Sequence, residues 1–164
     1  MNANTFRHFY DYHFALNRKI WNGLIVPLDQ ELFVQDIDYS IGSVRNHIVH
    51  LMSVDNAWFS GLRGVEMPPW LKPEDFNDKD VIRAHWDQVE QNMRDYLATV
   101  TDEMLFEHPF PEDDEDKRLI LWQVLLHVAN HGTDHRAQIL RLLHDLGVKT
   151  PPQDYVFYIY DNPM

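Results

Sequence analysis

Residues 119–146 read LILWQVLLHVANHGTDHRAQILRLLHDL, and this stretch decides the fold. Ile120, Leu121, Val124, Leu125, Val128, Ile139, Leu142, Leu143 and Leu146 recur at the three- and four-residue spacing of one helix face. The pattern predicts one long amphipathic helix from Leu119 to Leu146. His127, His131 and His135 each stand four residues from the next, so their imidazoles stack along one side of that helix, about 6 Å apart in rise. Two imidazoles at that spacing can hold one metal ion from a single helix face. At about 100° per residue, His135 falls roughly 20° from the centre of the apolar arc, His131 about 60° and His127 about 100°. His131 and His135 therefore face the interior, and His127 sits at the rim. A buried imidazole also occurs as an ordinary hydrogen-bonded core residue, and the row alone leaves both readings open. The spacing excludes a zincin, because Gly132 stands where H-E-x-x-H keeps its general base. A glycine inside a helix costs about 1 kcal/mol against alanine. Close approach of a neighbouring helix or of a bound ligand is the expected reason for it.

Three further amphipathic stretches surround this one. Phe6, Phe9, Leu16, Ile20 and Leu24 mark a first helix from Thr5 to about Leu28, with His13 on the same stripe. A connector follows over Gln30 to Asp38, with one helical turn around Glu31 to Val34. The second helix runs from Ser40 to Gly64, with Ser40 or Ser43 as its N-cap. Its core stripe is Val44, Ile48, Leu51, Trp58 and Leu62. By phase His50 borders that arc, whereas His47 points nearly away from it. Val54, Ala57 and Gly61 continue the His50 line, and their small size leaves room for a pocket beside the histidine.

Pro68, Pro69 and Pro73 make Val65 to Asp80 a long loop, with Met67 and Trp70 as packing groups. The third helix spans Lys79 to Val100, and its His85 lies off the apolar stripe, on the surface. In the second connector, Thr101 to Arg118, Met104, Phe106 and Phe110 alternate with polar residues as in a short hairpin. The acidic run Glu112 to Asp116 would be its solvated tip. Gly147 and Pro151–Pro152 stop the last helix, and the aromatic tail Tyr155 to Tyr160 is expected to dock on the bundle. Four such helices with long second and third connections predict an all-α four-helix bundle over residues 1–164, in a single domain.

Composition narrows the function classes. Of 164 residues 45% are hydrophobic, enough for a folded core. The net charge of −12 repels phosphate backbones and anionic headgroups, so neither a nucleic-acid nor a membrane partner is expected. The absence of cysteine removes disulfides, thiolate ligands and a cysteine nucleophile. The N-terminal MNANTFRHFYDYHF lacks the basic-then-apolar order of a signal peptide, and a cytoplasmic location is expected.

Two segments carry a resemblance. Gly42 to Phe59 reads GSVRNHIVHLMSVDNAWF, and His127 to Ile139 reads HVANHGTDHRAQI. With DYHFALNR at 11–18 and the G-V-x-x-P-P-x-D-Y tail from Gly147, they resemble the DinB/YfiT-like family of metalloenzymes over essentially the whole chain. (The family shares its name with a DNA polymerase, which this chain does not resemble.) The resemblance implies a four-helix bundle, often a homodimer, with a divalent metal on three histidines. Matched position by position, those ligands are His50, His131 and His135, with His127 a neighbour rather than a ligand. It also implies chemistry on a small-molecule substrate: transfer of a low-molecular-weight thiol in some relatives, hydrolysis or isomerisation in others. Zn²⁺ or Ni²⁺ suits three imidazoles best, with Fe²⁺ and Mn²⁺ as further possibilities.

Three functional readings follow, with no catalytic residue assigned. A metal-dependent transferase or hydrolase requires an open site beside a pocket walled by aromatic side chains. A non-enzymatic metal-binding stress protein requires a site closed by a fourth ligand, with His13 the candidate. A plain bundle with core histidines requires no metal at all. Asp55, Asp134 and His13 are candidates for supporting the ligands, although Asp55 is poorly phased to back His50 from one turn away. Competition by protons is expected to empty an all-histidine site below about pH 6.

Overall fold

The computed structural model describes residues 2–111 and 115–163. Its long helices are α1 (Ala3–Ile20), α3 (Val44–Leu62), α4 (Lys79–Thr99) and α5 (Leu121–Asp145). Two short helices, α2 (Gln30–Val34) and α6 (Tyr155–Asp161), lie in the first connector and the tail. No strand occurs among the described residues. The predicted all-α helical bundle is therefore the observed architecture. Helices α4 and α5 each pack against both α1 and α3, and α2 lies on α3.

Local sequence explains the helix ends. Asn2 caps α1 by accepting from the Thr5 amide at 2.9 Å, and Ser43 caps α3 by accepting from the Asn46 amide at 3.1 Å. Between the two serines proposed for that cap, Ser43 does the work, while Ser40 sits at φ 53° and donates to Gln138 at 2.6 Å. In α5 the Gln123 side chain reaches back to accept from the Ile120 amide at 3.1 Å. That helix stops at Gly147, whose φ of +82° suits a residue without a Cβ. The first helix is shorter than its apolar period implied. After Ile20 the backbone widens into a π-helical turn, Trp21–Ile25, in which the Val26 amide donates to the Trp21 carbonyl at 2.9 Å.

Polar ties fix α1 against its neighbours. The buried Tyr10 hydroxyl donates to the Leu125 carbonyl at 2.9 Å, joining α1 to α5. Glu90 on α4 takes Arg18 of α1 at 3.1 Å and Arg94 at 2.8 Å. The tail docks as expected: Tyr155 meets Tyr12 edge-on with ring centres 5.0 Å apart, and Tyr158 packs on His8 at 5.5 Å.

Two expectations for the connectors do not hold. Thr101 to Arg118 contains a 3-10 turn at Met104–Phe106 in place of a hairpin. Its alternation arises because Leu105 points into the core while Phe106 is 66% exposed. The acidic tip falls partly on residues 112–114, outside the described residues. Met67 and Trp70 are not packed groups either, at 59% and 65% exposed.

Candidate metal centre

Helix α3 brings His50 to face His131 and His135 of α5. One nitrogen from each of these three imidazoles lies within 4.8 Å of the others. Ring centres are 5.4 Å apart for His50–His131, 4.6 Å for His50–His135 and 4.3 Å for His131–His135. Metal–nitrogen bonds of 2.0–2.1 Å place tetrahedral donors about 3.3 Å from each other. The three nitrogens lie within 4.8 Å of one another, so an ion held by all three would draw the rings closer together. The donor set suits a borderline divalent cation.

Electrostatics keep these imidazoles neutral and ready to bind. Burial pushes His131 down to about 4, helped by the neighbouring His135 imidazole. Burial also lowers His50 and His135, and the Asp55 carboxylate opposes that shift in both. Protons therefore compete for His131 at lower pH than for a free imidazole. The loss of metal expected below about pH 6 moves down accordingly.

The other sequence candidates fall into three places. His127 is exposed at the rim, where it meets Trp58 edge-on at 5.1 Å and lies 6.2 Å from the His131 ring. His47, expected to point away from the core, is fully buried with its Nδ1 3.5 Å from His135 Nδ1. Burial and the nearby His135 and His50 lower it to about 4. The phase argument missed it because α3 is enclosed on most sides: thirteen of its nineteen residues are buried, so a single apolar arc does not define its interior.

His13 is not a fourth ligand. It is buried, and its two ring nitrogens are occupied elsewhere. Nδ1 lies 3.0 Å from the Arg136 guanidinium, and Nε2 lies 3.1 Å from the Asn17 amide and 3.6 Å from Asp55. Arg136 also donates to Asn17 Oδ1 at 3.1 Å and to Thr133 at 3.0 Å. The glycine between the paired histidines now has its reason. A Cβ on Gly132 would strike the His13 imidazole, with Nδ1 only 2.7 Å away. Close approach of α1 is what the position requires. Asp55 is fully buried and faces His13, not His50, with His13 Nε2 3.6 Å away and no hydrogen-bond partner for its oxygens among the described residues. Asp134 is exposed and accepts from Gln138 at 3.0 Å.

The model of the DinB family matches residues 1–163. The chain belongs to the DinB family. Among curated relatives, Protein DinB of Bacillus subtilis (strain 168) is 23% identical over 158 residues, covering 92% of this chain and 91% of that protein. DinB-family membership and the three-histidine cluster agree with each other: both are compatible with a metal-binding protein. No helix among the described residues is long and apolar enough to cross a membrane.

Proposed function

We propose that this DinB-family protein is a metal-dependent enzyme of the thiol S-transferase or hydrolase type, holding one divalent ion on His50, His131 and His135. The observation that carries the reading is the convergence of three imidazole nitrogens within 4.8 Å, from two helices. Three neutral protein donors leave coordination positions for an exogenous molecule, the hallmark of catalytic rather than structural sites. Bound there, a divalent ion supplies Lewis acidity that ionises water or a thiol near neutral pH. The chain's own residues orient and insulate that chemistry. His131 and His50 face one another across the helix interface, and His13, Arg136 and Asn17 form a buried polar layer against α5. Zn²⁺ or Ni²⁺ is the expected ion, with Fe²⁺ or Mn²⁺ next. The substrate is a small electrophile. The charge of −12 argues against nucleic-acid and membrane partners.

Metal content measured by mass spectrometry tests this reading, on untagged protein never exposed to a nickel column. About one ion per chain is expected in the wild type, with little in His50→Ala or His131→Ala. A wild-type chain that arrives empty and takes up neither Zn²⁺ nor Ni²⁺ would sink the proposal.

A further inference from the structure

A cavity of about 270 Å³ lies beyond the histidines, at the level of Trp58. Ala57 and Gly61 form one wall, continuing the face of α3 that carries His50. Trp58 packs against Phe110 at 6.1 Å on one side and against His127 at 5.1 Å on the other. His127 is in turn 6.2 Å from His131, so a single side chain stands between Trp58, on the cavity wall, and the triad. Gly61 keeps it open: a Cβ there would press on Phe110 at 3.1 Å. The outer rim holds Met67 and Trp70, two large apolar side chains that the fold leaves mostly in solvent. Exposed apolar groups gathered at a cavity mouth mark a ligand site. The charged residues lining this cavity, Glu115 and Asp116, are both acidic. A larger cavity, about 450 Å³ beside Trp21 and Lys79, shares no lining residue with α3 or α5. Adjacency to the triad, not size, is the reason to prefer the smaller one.

We infer that this cavity is the specificity pocket of the enzyme and takes an aromatic or branched aliphatic group that is neutral or positively charged. A cavity of about 150 Å³ holds a benzene ring, so this one has room for a ring and a short substituent. Trp58 stands eight residues after His50, which places the pocket roughly 12 Å along α3 from the triad. The substrate is therefore an elongated small molecule. Its reacting end lies at the histidines and its apolar end between Trp58, Trp70 and Met67. Glu115 and Asp116, the charged residues among the described lining, disfavour an anionic apolar end. The placing of the reacting end rests on the metal-enzyme reading; the pocket and its charge preference do not.

The test uses the full-length protein, both metal-stripped and loaded with Zn²⁺, and three ring probes of similar shape: benzylamine, benzyl alcohol and benzoate. Binding is followed by nuclear magnetic resonance at the tryptophan indole N–H signals, with metal content measured on the same samples. Benzylamine and benzyl alcohol are expected to shift the Trp58 and Trp70 signals with about millimolar affinity, as befits fragments. Benzoate is expected to bind at least about tenfold more weakly, a difference of about 1.4 kcal/mol. Ala57→Leu, which fills the pocket, and Trp70→Ala, which removes a solvent-exposed wall, should each weaken benzylamine about tenfold with metal content unchanged. Trp70→Ala keeps the test sound if Ala57→Leu fails to fold. Benzoate binding as tightly as benzylamine overturns the inference, as do shifts confined to other tryptophans or affinity untouched by both variants. Benzylamine held by a chain that takes up no metal supports the pocket and overturns the metal-enzyme reading alone. Metal held by a chain that binds no probe does the reverse.

Discussion

Gly132→Ala is the substitution whose outcome the packing fixes most tightly. On an isolated helix it stabilises by about 1 kcal/mol, because alanine restricts the unfolded chain. Here the new methyl meets the imidazole of His13, with Nδ1 at 2.7 Å, and the Arg136 guanidinium at 3.2 Å. His13 is 1% exposed and has little freedom to retreat. Overpacking of this kind costs about 1–3 kcal/mol. Displacing His13 also deprives Arg136 of an acceptor at 3.0 Å in a buried site, a further loss of about 1–3 kcal/mol. Against the propensity gain, the net loss is about 1–5 kcal/mol, centred near 3. The same change in a His13→Ala background removes the obstacle and leaves the gain, so it should be neutral or stabilise by up to about 1 kcal/mol. The assay is urea unfolding followed by circular dichroism, in the presence of a chelator so that metal linkage does not contribute. The coupling between the two positions should be about 3 kcal/mol. An equal cost of Gly132→Ala in both backgrounds would refute the reasoning, and would return the glycine to the ligand side of the helix.

The pH dependence of the metal-free protein has a definite sign. The folded imidazoles of His47 and His131 take up protons only near 4, against 6.5 for an ordinary histidine. The unfolded state thus binds more protons between those values, and stability should fall as pH falls from about 6.5 to 4, His47 alone contributing at most about 3 kcal/mol. A urea midpoint that stays level across this window would contradict it. Zn²⁺ at about a hundredfold over its dissociation constant should raise stability by about 2.7 kcal/mol, reversed by chelator, if the triad binds the folded state alone. Thermal unfolding with and without chelator reads this directly, and identical curves count against the site. His47→Ala, which removes the imidazole beside His135 Nδ1, should weaken metal affinity about 10- to 100-fold at unchanged stoichiometry, measured by competition with a chromogenic chelator. Ser43→Ala deletes the acceptor for the Asn46 amide and should cost about 1 kcal/mol in urea unfolding, without altering metal uptake.

What the sequence made legible was whatever repeats with the period of a helix. The α5 stripe places His131 and His135 on the inner face; of the small residues that follow His50, Ala57 and Gly61 line a cavity, but it lies further along α3 and includes neither Val54 nor the histidine. The phase argument works when a helix has one buried face, as α5 does. It fails for α3, which is wrapped on most sides, and so His47 was misplaced. The connectors were less legible for a different reason. Apolar residues in a loop carry no period that separates a docked side chain from an exposed one. Leu105 went inside, while Phe106, Met67 and Trp70 stayed in solvent. The long-range pair that explains Gly132 lies 119 residues away in sequence, at His13, and no local pattern announces it.

The charge layout argues for a cation as the natural occupant of the triad. Asp55 is wholly buried, and its carboxylate oxygens find no hydrogen-bond donor among the described residues. Such a group is costly unless a positive charge lies near it. Arg136 is one such charge, a buried guanidinium that hydrogen-bonds the neutral His13, Asn17 and Thr133 and is attracted by Asp55, while burial lowers His13. The field of Asp55 also reaches His50, His131 and His135, whose positive forms it favours. Protons are poor at answering that field, because the crowded imidazoles repel each other once charged. A single divalent ion answers it without that repulsion, since it places its charge between the three rings rather than on each. A buried carboxylate and three imidazoles that resist protonation are the two halves of an arrangement that the proposed divalent ion would complete.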